Sequence, residues 1–144
     1  MPKPQSYKSH ARYIPIYHFF AVPVLVINVF VQAVRLTDDQ SFNQIWNVVL
    51  ALALAVFVFV ARIMSLTAQN RVIRLEEKAR LARLLPPEEH ECIDRLAPRH
   101  LIGLRFASDE EAADLARRCA AGELKTTGEV KKEIRNWRPD YLRV

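Results

Sequence analysis

Apolar positions follow two regimes along this chain. Two nearly uninterrupted stretches, 13–34 and 45–64, are parted by a polar segment at 35–44. From residue 65 onward apolar side chains recur at three- and four-residue intervals among charged ones. A bilayer core about 30 Å thick takes about 20 apolar residues of α-helix to cross. Both stretches meet that length, and 50–61 carries no polar side-chain atom. The pattern predicts a transmembrane helical hairpin. Pro15 falls in the first turn of the first helix, where a missing N–H costs little. Pro23 is internal and removes the donor to the Phe19 carbonyl, which predicts a kink. Ser41 and Gln44 have the spacing of a capping box at the start of the second helix, and Trp46 follows at the depth of an aromatic anchor.

Between Ser65 and Leu85 there is no Gly or Pro. Ala68, Val72, Leu75, Ala79 and Ala82 repeat at helical spacing, and Glu76 precedes Arg80 by one favourable turn. The second helix is therefore expected to leave the membrane as a stalk, over 65–85, and to stop at Pro86-Pro87. Over about 40 residues it would measure roughly 60 Å. Beyond the prolines, short helices are expected at 88–96 and 101–106. A third has Ser108 as N-cap and Gly122 just past its end, and a fourth is capped by Thr126. No segment alternates as a strand does. The expected fold is an all-α membrane protein. It has a basic cytosolic N-terminus (1–12), a transmembrane hairpin (13–64), a cytosolic stalk (65–85) and a small cytosolic helical domain (86–144).

Charge orients the hairpin. The net charge of +5 gathers at the hairpin's two ends. Lys3, Lys8 and Arg12 precede the first span with no acid among them. Arg62, Arg71, Arg74, Lys78, Arg80 and Arg83 follow the second, against Glu76 and Glu77. The turn is acidic, with Asp38 and Asp39 against Arg35. By the positive-inside rule both termini lie in the cytoplasm and 35–44 lies outside. The basic excess then reports membrane topology rather than nucleic acid. Cys92 and Cys119 would sit in a reducing compartment as free thiols. A cleaved leader ending at Val31-Gln32-Ala33 is the alternative reading of the first stretch. Its length exceeds the roughly 7–15 residues of a signal core, and it contains His18, Asn28 and two prolines.

Polar side chains inside a membrane are costly and usually face protein. His18, Asn28 and Gln32 share one face of the first span; Asn47, Ala51 and Ala55 share one face of the second. Ala51-x-x-x-Ala55 permits close backbone approach. These six residues are the expected interhelical contact, with Gln32 or Asn28 bonded to Asn47. Lys8, Arg12, Arg62 and Arg71 lie near enough to the bilayer to contact anionic lipid, whereas bases further along the stalk exceed a Debye length of about 8 Å. Near the C-terminus Val130, Ile134, Trp137 and Tyr141 line a face suited to docking, on the chain itself or on a partner.

Signatures of catalysis are missing: no G-x-G-x-x-G, P-loop or G-x-S-x-G motif occurs. His90-x-Cys92 with neighbouring glutamates has no standard zinc spacing. No catalytic, cofactor-binding or metal-ligating residue is assigned, and no small-molecule substrate is inferred.

Four segments carry a resemblance. They are Gln5-Ser-Tyr7-Lys8-Ser-His10-Ala-Arg12-Tyr13 with Pro15 and His18-Phe19, Arg71-Val-Ile-Arg-Leu-Glu-Glu77, Leu104-Arg-Phe-Ala-Ser-Asp109, and Trp137-Arg-Pro-Asp-Tyr141. Together they resemble an uncharacterised family of short bacterial inner-membrane proteins, which carries Asp more often at the position of Asn70. The resemblance implies a two-span bacterial membrane protein and brings no activity, cofactor or catalytic residue. The function expected is that of a non-enzymatic accessory or scaffolding subunit. Its partners would be the bilayer and another membrane protein or further copies of itself. The alternative is a lipid- or nucleic-acid-responsive regulator that uses the basic stalk and the segment 131–143.

Overall fold

A computed structural model describes residues 6–7 and 13–140, and these form two compact units, 13–66 and 67–140 with 6–7. Among the described residues the structure is helical without a strand; Ala107 and Trp137 make an isolated antiparallel bridge.

The first unit begins with a π-helix, Ile16–Ala21, that runs into α1, Val22–Asp38. Pro23 explains the wide turns. It cannot donate to the Phe19 carbonyl, and its ring crowds that oxygen. The preceding backbone takes i→i+5 bonds instead, as in Val22 N–H to Tyr17 O. The kink expected at Pro23 is thus a π-helix just before it. At the turn, Ser41 N–H donates to Asp39 Oδ1 at 2.9 Å and Gln44 N–H to Ser41 Oγ at 3.3 Å.

α2 runs from Phe42 to Leu84, 43 residues, because no Gly or Pro interrupts it before Pro86. It passes through both units. Its first half presents apolar side chains outward: Phe57 is 67% exposed and Met64 67%, as Phe30 of α1 is 69%.

In the second unit, the last turns of α2 belong to the core instead of forming a separate stalk. Ile73, Leu81 and Leu85 are buried. The expected stripe of Ala68, Val72, Leu75, Ala79 and Ala82 is exposed, on the opposite face. A 3₁₀ turn, Pro87–Glu89, leads to α3 (His90–Arg95), α4 (Pro98–Leu104), α5 (Asp109–Ala120) and α6 (Thr127–Glu133). Leu81, Leu101, Leu104, Phe106 and Val130 are fully buried at its centre. α5 ends in a Schellman motif: Gly122 has φ +84, its N–H donates to Cys119 O at 3.1 Å, and Glu123 N–H donates to Arg118 O at 3.0 Å. Thr126 caps α6 through Glu129 N–H at 3.1 Å. α4 and α6 approach closely at Gly103, where an added Cβ would stand 2.9 Å from Val130 Cβ.

Candidate functional site

Two places collect polar side chains with defined partners. In the unit 13–66 they lie near the ends of the paired apolar helices. Gln44 is 7% exposed. Its Nε2 donates to Gln32 O at 2.9 Å and to Gln32 Oε1 at 3.2 Å. Gln32 Nε2 in turn donates to Asn28 Oδ1 at 3.3 Å. The bond expected at Asn47 is therefore made by Gln44, and Asn47 is exposed. The reason is angular: Gln44 stands in line with Ala51 and Ala55 on the buried side of α2, whereas Asn47 sits about 60° round the helix from it. Ala51 is buried, at 2% exposure, and Ala55 half-buried. His18 engages its own helix, through Nδ1 and the backbone of Ile14. At the far end Tyr17 Oη donates to Val58 O at 3.5 Å, and the Arg62 guanidinium lies 5.8 Å above the Tyr17 ring. Between Ile14, Tyr17, Ala21, Phe57, Val58 and Ala61 runs an apolar groove of about 310 Å³.

The second place is in the unit 67–140 and centres on Arg80. Its Nε donates to Asp109 Oδ1 at 2.7 Å, Nη1 to Glu77 Oε2 at 3.0 Å and Nη2 to Ala107 O at 2.7 Å. The guanidinium thus ties α2 to the first residue of α5, and it is almost wholly buried. Its two carboxylate partners respond in opposite ways. Burial pushes the Glu77 carboxyl up, against the pull of Arg80 and Arg138. The Arg80 hydrogen bond and charge hold the exposed Asp109 below the ordinary carboxylate range.

Beside this network a cleft of about 750 Å³ opens between α2 and the segment after α6. Four arginines (80, 83, 105 and 138) and three carboxylates (Glu76, Glu77 and Asp140) line it. Arg105 Nη1 is 3.3 Å from Asp140 Oδ2, and Arg138 Nη1 is 3.9 Å from Glu77 Oε1. Much of the positive charge is thus balanced within the walls. Arg83 and Arg138 are exposed.

The C-terminal wall is held by the chain itself. Arg138 N–H donates to Phe106 O at 2.7 Å, and the Trp137 ring packs on Phe106 at 5.3 Å between centroids. The Glu111 carboxylate accepts from Arg135 N–H, Asn136 N–H and Asn136 Nδ2. Of the residues expected to dock a partner, Val130 and Ile134 are buried in this core and Trp137 is half-buried on it. They pack within the chain because α6 itself lies on α4 and α5, with Val130 against Gly103. Tyr141 lies outside the described residues. So do Lys8 and Arg12 of the expected lipid contacts; Arg71 is exposed.

A family model matches the chain over residues 1–144. The chain belongs to a family of unknown function, DUF6526. No curated protein and no solved structure matches it. Among the described residues of this DUF6526 chain, His90 Nε2 meets Leu85 O at 3.2 Å, and His100 Nδ1 accepts from Ala97 N–H at 3.3 Å. Among the described residues no group of three His, Cys, Asp or Glu side chains is arranged to hold a metal. Sequence reasoning missed the bond of Gln44 across the turn, since Gln44 read as a capping residue, and the reach of Arg80 to Asp109 and Ala107, since Arg80 read as a partner of the neighbouring glutamates on the same helix. A signal for Arg80 existed in its phase: Glu77, Arg80 and Leu81 share the α2 face that also carries Ile73.

Proposed function

We propose that this chain is a two-span integral protein of a bacterial inner membrane, with both termini in the cytoplasm. It acts without catalysis, as an accessory or scaffolding subunit that presents its C-terminal helical unit to a larger membrane complex. The observation that carries the reading is the outward display of apolar side chains along Ile16–Asp38 and the first half of α2, within a unit that buries almost none of them. In water each such Phe, Leu or Ile forgoes about 1.5–3 kcal/mol of burial; in hydrocarbon the same surface is at home. Asn28, Gln32 and Gln44 support the reading, because these three side chains bond one another, as polar groups inside a bilayer do. The basic residues flanking the two spans, against an acidic turn, support cytoplasmic ends.

Alkaline carbonate extraction and reporter fusions test the topology. The protein should stay in the membrane pellet, with a fusion at residue 144 active in the cytoplasm and one at residue 40 active outside. Recovery in the carbonate supernatant, or a cytoplasmic residue 40, overturns it. Affinity capture of the full chain from native membranes tests the scaffolding role. Recovery solely as a lone chain counts against it.

A second reading, a regulator that senses anionic lipid or nucleic acid, has one observation in its favour. Arg83 of α2 and Arg138 of the C-terminal segment border one cleft. The full chain in nanodiscs should then bind RNA, or prefer anionic over neutral lipid, with strong dependence on salt. Salt-independent or absent binding removes this reading.

A further inference from the structure

The second half of α2 has two apolar faces. One, with Ile73, Leu81 and Leu85, is buried against its own unit. The other, with Ala68, Val72, Leu75, Ala79 and Ala82, is exposed: Val72 is 52% exposed and Leu75 72%. The spacing of this second stripe is that of heptad positions d, a, d, a, d. Val72 occupies a and Leu75 occupies d, the pairing of a β-branched residue with leucine that favours two parallel strands. The three alanines let two helices approach closely along the rest of the seam.

We infer that this stripe pairs with the same stripe of a second copy of the chain in a parallel coiled coil. The inference rests on the membrane reading, because two copies inserted in one bilayer send α2 out of it in the same direction. Charge complementarity selects a second copy as the occupant. In a parallel pair, position g of one helix faces position e five residues on in the other. Here Arg71 at g meets Glu76 at e, twice per dimer. Both residues are exposed, and neither makes an ion pair within the chain among the described residues. The next pair, Lys78 with Arg83, is of like charge, but Lys78 Nζ is already engaged by Asp94 at 3.0 Å, which relieves the repulsion. Two heptads alone are marginal in water. Confinement to one membrane raises the effective concentration and removes part of that cost.

Cysteine crosslinking of the full chain in native membranes tests the pairing. Leu75→Cys and Ala82→Cys should each give a dimer of twice the chain mass with a short bismaleimide, and Arg74→Cys, on a flank, should not. In the Leu75→Cys background, Arg71→Glu or Glu76→Arg should lower the dimer yield severalfold, and the two together should restore it. Equal crosslinking at all three positions, adducts of another mass, or no rescue by the double reversal overturns the pairing. Carbonate extraction of the same samples separates the two proposals. A chain that stays in the membrane but does not crosslink overturns the dimer alone. A chain released into the supernatant overturns the membrane reading and the parallel pairing with it.

Discussion

Gln44 donates to both the backbone oxygen and the side-chain oxygen of Gln32, at 2.9 and 3.2 Å, across twelve residues of sequence. One amide thus fastens the two apolar helices beside their turn. Interhelical hydrogen bonds in membranes are worth roughly 0.6–2 kcal/mol. Gln44→Leu should therefore destabilise the chain by about 1 kcal/mol in a detergent unfolding titration. Asn47→Leu, at an exposed site, should change it little. Equal losses would sink the assignment of Gln44 as the fastening residue.

The Arg80 network makes a sharper prediction. Arg80→Met leaves Glu77 buried without its main counter-charge, a change that typically costs about 3–5 kcal/mol. Adding Glu77→Gln removes the stranded charge and should recover part of the loss. Thermal unfolding of wild type, single and double variants measures this; a double variant no better than Arg80→Met refutes it.

Glu77 and Asp109 should bend the pH profile in opposite senses. The folded-state pKa of Glu77 is raised, so its contribution is greatest below the ordinary carboxylate range and is lost as pH rises through the raised value. That of Asp109 is lowered, so its contribution is present above the ordinary value and lost as pH falls through the depressed one. Melting temperatures across acid to neutral pH should show Glu77→Gln flattening the decline on the upper side and Asp109→Asn flattening the decline on the acid side.

Gly103 should not tolerate a methyl group. Its Cβ would lie 2.9 Å from both Cβ and Cγ1 of Val130, and a β-branched side chain has little freedom to yield. Overpacking of this kind costs about 1–3 kcal/mol, against about 1 kcal/mol gained in helix propensity. Gly103→Ala should be net destabilising, and Gly103→Ala with Val130→Ala less so than the sum of the two single changes. Gly128→Ala, whose Cβ would come no closer than 3.9 Å to another group, should be neutral or mildly stabilising.

Both cysteines should react slowly in the folded protein. Burial raises the Cys92 thiol and pushes that of Cys119 up to about 11, and the thiolate is the reactive form. Iodoacetamide at neutral pH should label neither appreciably until denaturant is added. Rapid native labelling would show that the unit opens.

Features set by near neighbours along the chain were legible in the amino-acid order. The two apolar helices, the unbroken run of α2 to the proline pair, the Thr126 cap and the terminating Gly122 all depend on propensity, capping and length within a few residues. What lay beyond that reach was the choice of face. Both sides of α2 after residue 66 carry apolar residues at helical spacing, so periodicity could not say which side would meet α5. The core took the side of Ile73, Leu81 and Leu85, whose side chains bury more apolar surface than the alanine-rich opposite stripe, and Arg80 on that side reaches Asp109 and Ala107, partners 29 and 27 residues away. The Gln44 side chain could return to the Ser41 backbone or reach Gln32 across the turn, and only the packing of the two helices selects between them. Val130 and Ile134 formed a recognisable apolar face, but its occupant was the chain's own α4 and α5. Local backbone energetics depend on residues within one or two turns. A buried face, an ion pair or a crossing at a glycine depends on groups that meet only when distant segments have folded together.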